Sequence, residues 1–514
     1  MLTLRFTSAA AQGRLRLVAD AREHMAAAFN FSALPFSPLV VSNRGPFELL
    51  PDGQVRRGSG GLVTAISTLV DRTKAPWIAC ASTEAERNMA RMPFVDLSDG
   101  HRIVRVHYVD SDPGAYRKHY SIVANQALWP IQHRLPDIAP ESKSLKDAWA
   151  HGYSVLNGLV GRRTAEIARR LPEVPVVLIQ DYHLYLTARN IRRLAPGAVL
   201  QQFIHIPWPG PEDWSALPRE LLIDLLDGLL TNDVIGFQTA ADVDNFMACC
   251  EAAHVRIDGG RRQACRAGRV VRLRDYPISV DGVALEAMAK SAEVQRELRD
   301  LSQARPEKVI LRVDRMDPAK NAIAGFRAYE QLLRAHPEWM RRVQFWAFLQ
   351  PSRQDVAAYR AYAVSLKATV ADINARLGEW DWTPIRLEVW ENLPRALAAY
   401  QLFDVLLVNS RYDGMNLVAK EGMLLNRRSG ALVLSKTTGA HKELGRWALS
   451  IAADDIDGTA VALNAALSLR LPERERRGRA IKAVIREHDL DRWIDMQLRD
   501  LRELVPEARL QSVG

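Results

Sequence analysis

Residues 405–421 read VLLVNSRYDGMNLVAKE. The apolar run Val405–Val408 gives way to polar residues, turns at Asp413–Gly414 and enters a helical pattern. A short apolar strand that feeds a helix through a polar turn is the repeating unit of an α/β fold with parallel sheets and helices on both faces. The unit recurs on both sides of this stretch. Val309–Val313, Phe345–Leu349 and Ala431–Leu434 lie near it, and Leu39–Ser42, Trp77–Ala81, Val176–Ile179, Phe203–Ile206 and Asp233–Phe237 lie upstream. Helix-length patterns fall between them, among them Leu156–Arg170, Ala240–Ala253, Ala357–Leu377 and Ala460–Leu469.

These strands are too many for one sheet, and the loop-rich stretch around 256–300 is the natural divide. The expected organisation is an extension at 1–35, a first domain at 36–285, a second at 286–485 and a closing segment at 486–514. Ala10–Ala28 in the extension is partly helical in pattern. Leu490–Leu504, with Trp493, Met496, Leu498 and Leu501, is expected to pack back as a closing helix.

Composition narrows the function classes. The 514 residues are 48% apolar and 25% charged, an ordinary globular balance. The formal charge of +9 invites a nucleic-acid reading, but the basic residues are interspersed with acids, so no nucleic-acid partner is expected. A modest positive excess suits phosphorylated small-molecule substrates. Cys80, Cys249, Cys250 and Cys265 form no CxxC pair, which argues against a disulfide framework or a zinc site and fits a reducing cytoplasm. No apolar run approaches the ~18–20 residues of a membrane span, and the N-terminal stretch makes a poor signal peptide. The expectation is a soluble, cytoplasmic protein with no membrane partner; a homo-oligomer is compatible with the sequence.

Ligands of open α/β sheets bind beyond the carboxyl ends of the strands. Six of the nine runs present Arg, Asp or His there: Arg44, Asp181 with His183, His205, Arg315, Arg353 and Asp413. The segment RGSGGLV, Arg57–Val63, places Gly60 and Gly61 before an apolar helical run, where amides bind anions. Arg315 and Lys320 in RMDPAKN set two cations at a helix start, as a diphosphate requires. After the Asp413–Gly414 turn, Met415, Asn416, Leu417 and Val418 are expected to open a helix whose amides meet a sugar or phosphate. Glu421 follows a little over two helical turns after Asp413 and can accept from a ribose diol. Tyr120 and Trp129 in HYSIVANQALWP suit a sugar face. DIDGT, Asp455–Thr459, matches the nucleophile motif of a phosphatase class, but only 55 residues follow it. It reads better as a helix cap supplied by Asp457 or Thr459.

In chain order, VVSNRGP, GSGGLV, HYSIVANQALWP, QDYHLYL, FIHIPWP, VDRMDPAKN, PSRQDVAAY and DGMNLVAKE resemble the trehalose-6-phosphate synthase family, from about Leu39 to Leu504. These are retaining glycosyltransferases of the GT-B fold. The resemblance implies two Rossmann-like domains whose parallel sheets face each other across a cleft, with a C-terminal helix packing back. It implies transfer of glucose from UDP-, GDP- or ADP-glucose to glucose 6-phosphate, with no metal and no cofactor besides the nucleotide sugar. Gly60 and Gly61 would cover the donor diphosphate, Arg315 and Lys320 would neutralise it, and Glu421 would hold the ribose. The base would meet backbone near Leu393. Asp413, the amides from Gly414 to Val418, and His205 would hold the transferred sugar. Arg44, Tyr120, Trp129, Asp181 and Arg353 would bind glucose 6-phosphate. The chain departs from the family pattern in RMDPAKN, where RLDYSKG is more usual, and in NSRYDG. Relatives that use glycerol 3-phosphate or a cyclitol phosphate, or that only sense sugar phosphates, stay open as alternatives.

Overall fold

A computed structural model describes residues 34–49, 55–58, 61–98, 102–135 and 141–506. Most of the expected extension, including Ala10–Ala28, lies outside the described residues, and so do Gly60 and the tail beyond 506.

Eighteen strands are described: β1 (Ser37–Ser42), β2 (Phe47–Leu49), β3 (Val55–Arg57), β4 (Trp77–Cys80), β5 (Val95–Ser98), β6 (Ile103–Val109), β7 (Pro175–Gln180), β8 (Val199–Phe203), β9 (Val234–Phe237), β10 (Arg256–Asp258), β11 (Gln263–Arg266), β12 (Arg269–Asp275), β13 (Lys308–Arg315), β14 (Val343–Gln350), β15 (Ile385–Val389), β16 (Val405–Val408), β17 (Ala431–Ser435) and β18 (Leu449–Ile451). The first sheet runs β10-β11-β12-β9-β8-β7-β1-β4-β6-β5. It is parallel from β12 to β6, with antiparallel strands at both edges. The second sheet, β15-β14-β13-β16-β17-β18, is parallel throughout. A small hairpin, β2-β3, stands apart.

The uninterrupted Val, Ile and Leu runs follow from this architecture. Helices cover both faces of each sheet, so successive side chains are all buried. Leu39, Val40 and Val41 of β1 and Leu406 and Val405 of β16 have no exposed surface. In register, Leu39 lies opposite Val177, and Ile310 lies between Phe345 and Val405.

The sequence reading needs three corrections. The strand expected at Phe203–Ile206 is β8, which starts at Val199 and ends at Phe203. Its inner residues Gln201 and Gln202 disguise it. Both are fully buried, and their amides donate to Gln497 Oε1 at 3.0 Å and to the Asp181 carbonyl at 2.9 Å. The stretch 256–300 is not loop-rich. It holds β10–β12 and the helices Gly282–Met288 and Ala292–Gln303; β10, an edge strand without a buried residue, lacks an apolar run to reveal it. At DIDGT the cap is Asp455, not Asp457 or Thr459: its carboxylate accepts from the Gly458 N–H at 2.8 Å and opens the helix Ile456–Ser468.

The helix Leu490–Arg502 follows the second sheet in sequence but packs on the first. Trp493 meets Phe203 edge-on, with ring centroids 5.3 Å apart, and Gln497 pairs with Gln201. Tyr276 donates to Asp500 at 2.5 Å, and Arg72 forms an ion pair with Asp491. Trp493 is buried in the largest apolar cluster. Trp493→Ala should therefore cost about 3–5 kcal/mol, read as a lowered midpoint in chemical denaturation.

Candidate active site

The carboxyl ends of the two sheets carry the polar residues. β13 ends at Arg315, and a 3₁₀ turn, Pro318–Lys320, carries Lys320 before the helix Ala322–Ala335. Asn321 joins turn and helix in the left-handed region, φ 59°. After β16, the Asp413–Gly414 turn leads to Asn416, φ 72°, and the helix starts only at Leu417. Met415 and Asn416 thus precede the helix, and Glu421 sits about one turn inside it, closer in than an unbroken helix from Asp413 would place it. Gly414 is one place where the two domains touch: a Cβ there would lie 2.3 Å from the His205 carbonyl oxygen.

On the second domain, Lys320 and Asp413 form an ion pair, both mostly buried. Burial opposes ionisation of Asp413, but Lys320 outweighs it and holds the carboxyl below its ordinary range. Asn416 donates to the same carboxylate at 3.0 Å. Arg312, fully buried, donates to the Lys320 carbonyl and to Asn409, and pairs with Asp314 at 3.0 Å, which fixes the turn. Glu421 accepts from Tyr400 at 3.3 Å, and burial raises its pKa. A cavity of about 280 Å³ runs from Glu421 and Leu417 to Thr64 and Thr68. These threonines lie on the helix that begins at Gly61. Leu393 opens the helix Leu393–Ala399, capped by Asn392, and is 53% exposed.

Across the cleft, Arg44 donates to the Tyr120 hydroxyl at 2.6 Å. Tyr120 stacks on Tyr116 and on His183, each at 5.7 Å, and belongs to a π-helical segment, Lys118–Leu128. Such segments are frequent at functional sites. Trp129 follows it and takes two cations: the Arg353 guanidinium lies 3.9 Å and that of Arg315 5.2 Å from its ring centroid. Arg353 reaches across from the second domain, donating to Tyr182 of the first at 3.2 Å and to Tyr359 at 2.8 Å. Ser121 of the first domain donates to Asp355 of the second at 2.7 Å.

Asp181 has φ 71° and ψ 175°, a region nearly reserved for glycine and worth of order 1–3 kcal/mol of strain. Burial pushes its carboxyl up to about 7, against the pull of backbone N–H donors and of Arg353 and Arg315. It accepts from the His205 N–H at 3.2 Å. The His205 imidazole donates from Nε2 to Gln180 at 2.9 Å, and burial lowers its pKa to about 3. Burial thus favours the neutral imidazole at physiological pH, held by this hydrogen bond.

The structure thus brings Arg44, Tyr120, Trp129, Asp181, His205, Arg315, Lys320, Arg353 and Asp413 to one cleft. Sequence reasoning did not single out Asp317, Tyr182, Tyr359, Gln180 or Tyr400. The first four lie inside motif strings, RMDPAKN, QDYHLYL and PSRQDVAAY, where neighbouring residues drew the attention. Nothing in the sequence marks Tyr400 as a partner of Glu421. Among the described residues, no group of three or more His, Cys, Asp or Glu could hold a metal ion, and no helix is long and apolar enough to cross a membrane.

The family model for glycosyltransferase family 20 matches residues 37–503. The chain belongs to glycosyltransferase family 20. As a member it is a retaining glycosyltransferase, and its two facing sheets are the GT-B fold. It is 32% identical over 470 residues to the bifunctional trehalose-6-phosphate synthase/phosphatase of Thermoproteus tenax; the match covers 88% of this chain but 62% of that protein. It is 32% identical over 477 residues to the trehalose-6-phosphate synthase of Mycolicibacterium smegmatis, covering 88% of this chain and 90% of the other. The solved structure of a UDP-forming α,α-trehalose-phosphate synthase from Burkholderia xenovorans, in complex with glucose 6-phosphate, superposes with a TM-score of 0.80. That match has 28% identity and covers 91% of this chain and all of that one.

The Asp181 carboxyl gives this family member a pH signature. Its folded pKa is raised above the ordinary 3.8, so the folded state favours the protonated form. The stability linked to that proton is full below about pH 4 and is lost as pH rises through about 7. Asp181→Asn removes the titration. It should raise the thermal midpoint more at pH 8 than at pH 5, measured by differential scanning calorimetry.

Proposed function

We propose that the chain is a trehalose-6-phosphate synthase: it moves glucose from a nucleotide-glucose donor to glucose 6-phosphate and retains the anomeric configuration. One observation carries the reading. Arg353 and Arg315, assigned to the acceptor phosphate and the donor diphosphate, lie over the same Trp129 ring. Two phosphorylated substrates held by these cations meet at one aromatic surface.

Most acceptor roles fall to 36–285 and most donor roles to 286–485, with Arg353 crossing to the acceptor and Gly60, Gly61 and His205 crossing to the donor. Arg44, Tyr120, Trp129, Asp181 and Arg353 hold glucose 6-phosphate. Gly60 and Gly61 cover the donor diphosphate, Glu421 takes the ribose diol, and backbone near Leu393 meets the base. Asp413, His205 and the amides from Gly414 through Met415, Asn416 and Leu417 to Val418 hold the transferred glucose. The bond from the anomeric carbon to the diphosphate breaks, and the acceptor hydroxyl oxygen bonds to that carbon on the same face. The hydroxyl proton passes to the departing phosphate oxygen, so no side chain need serve as base. The neutral state of His205 agrees with a hydrogen-bonding role. Arg315 and Lys320 neutralise the charge that builds on the leaving group. The Burkholderia relative is UDP-forming, which supports UDP-glucose as donor. The free thiols of Cys80, Cys249, Cys250 and Cys265 support a reducing cytoplasm.

A donor-by-acceptor screen tests this. UDP-, GDP- and ADP-glucose are crossed with glucose 6-phosphate and glycerol 3-phosphate, reading released nucleoside diphosphate and product mass. A disaccharide-phosphate mass is expected only with glucose 6-phosphate. Turnover with glycerol 3-phosphate alone, or binding without product, overturns the reading. Arg315→Ala and Lys320→Ala should each lower kcat by roughly 100- to 1,000-fold, as removal of a transition-state charge donor does. Unchanged kcat in both would remove the donor-site assignment.

A further inference from the structure

Two guanidinium groups over one indole repel each other, and the repulsion grows as the cleft excludes water. Trp129 alone does not offset this. The compensating charge comes from Asp317, which has no exposed surface. Its Oδ2 accepts from Arg353 Nη1 at 2.7 Å, lies 3.8 Å from Arg315 Nη2 and faces the Tyr359 hydroxyl at 3.5 Å. Its Oδ1 accepts from the Ala319 N–H at 3.0 Å and so caps the turn that carries Lys320. The Asp317 carbonyl accepts from the Lys320 N–H at 2.9 Å. One residue therefore touches Arg353, Arg315 and the backbone of Lys320.

We propose that Asp317 is a positioning residue: its charge orients the acceptor phosphate through Arg353, and its cap holds the turn that carries Lys320 in the same frame. The inference rests on the acceptor and donor roles assigned above. Asp317 itself lies beneath the two cations and acts through them. Burial opposes its ionisation, but Arg353, then Arg315, hold its carboxyl below the ordinary range, so it is an anion at working pH. Its contact with Arg353 is short and that with Arg315 long, so loss of its charge falls mainly on the acceptor side.

Asp317→Asn keeps the side-chain size, leaves an oxygen to cap Ala319 and removes the charge. Glucose 6-phosphate and UDP binding are measured by calorimetry on the wild type, Asp317→Asn, Arg353→Ala and the double variant. Asp317→Asn should weaken glucose 6-phosphate by about thirtyfold, as loss of one partner of a buried charge pair does, and leave UDP within about threefold. The double variant should be no more than about threefold weaker than Arg353→Ala alone, because both changes remove one interaction. In turnover, kcat at saturating acceptor should also fall in Asp317→Asn, which a purely binding effect would not produce. Additive losses, wild-type affinity in Asp317→Asn, or parallel loss of UDP binding overturns the proposal. If Asp317→Asn does not fold, Asp317→Glu takes its place in the same cycle, with the same non-additivity expected. A wild type that binds UDP but not glucose 6-phosphate overturns the acceptor assignment, and the inference with it. A wild type that binds both, with an unchanged Asn variant, overturns the role of Asp317 alone.

Discussion

A backbone carbonyl of one domain fills the space that a side chain would need on the other. The His205 oxygen lies only 2.3 Å from where a Cβ on Gly414 would stand, and behind it the Gly414 carbonyl lies 1.8 Å from the Cβ position of Gly439. Three segments from two sheets are stacked at backbone contact, and only glycine at 414 and 439 allows it. The rest of the site depends on this approach. It sets Asp413 and Lys320, on the second domain, beside the strand ends that carry Asp181 and His205 on the first. Arg353 then reaches Trp129 and Tyr182, and Ser121 reaches Asp355.

The charges of the cleft are partnered within the protein. Lys320 has Asp413, Arg353 has Asp317, and Arg44 has the Tyr120 hydroxyl. Donors fixed by such partners need little reorganisation when a phosphate arrives, which is how preorganised electrostatics lowers a barrier. The cost appears at Asp181, which combines a glycine-like backbone with a carboxyl pushed up by burial. Strain and a perturbed pKa at one residue are the combination expected where function, rather than stability, shapes a position.

What the sequence disclosed depended on how far each signal was local. Val405–Val408 and the helix Ala357–Leu377 are legible to the residue because apolar runs and helical periodicity are properties of neighbours in the chain. β8 was displaced because Gln201 and Gln202 read as solvent-facing, while their partners, Gln497 and the Asp181 carbonyl, are remote. β10 hid because an edge strand lacks the apolar run of a central one. In the cleft, the residues that end strands or open helices were visible from their place in each motif. Asp317 and Tyr359 were not, since their importance lies in reaching Arg353, 36 and 6 residues away in sequence. Position within a motif reveals what faces a ligand; it does not reveal what stands behind those residues.

The helix Leu490–Arg502 lies at the far end of the described chain yet completes the core of the first domain, through Trp493 on Phe203 and Gln497 on Gln201. On the ribosome, synthesis proceeds from the other end, and domains generally fold as they emerge. Here the first sheet is exported long before its last covering helix exists. Until then the apolar face around Phe203 and Tyr276 lacks the cover of Trp493. The domain made first is thus the one whose core receives its last covering element latest.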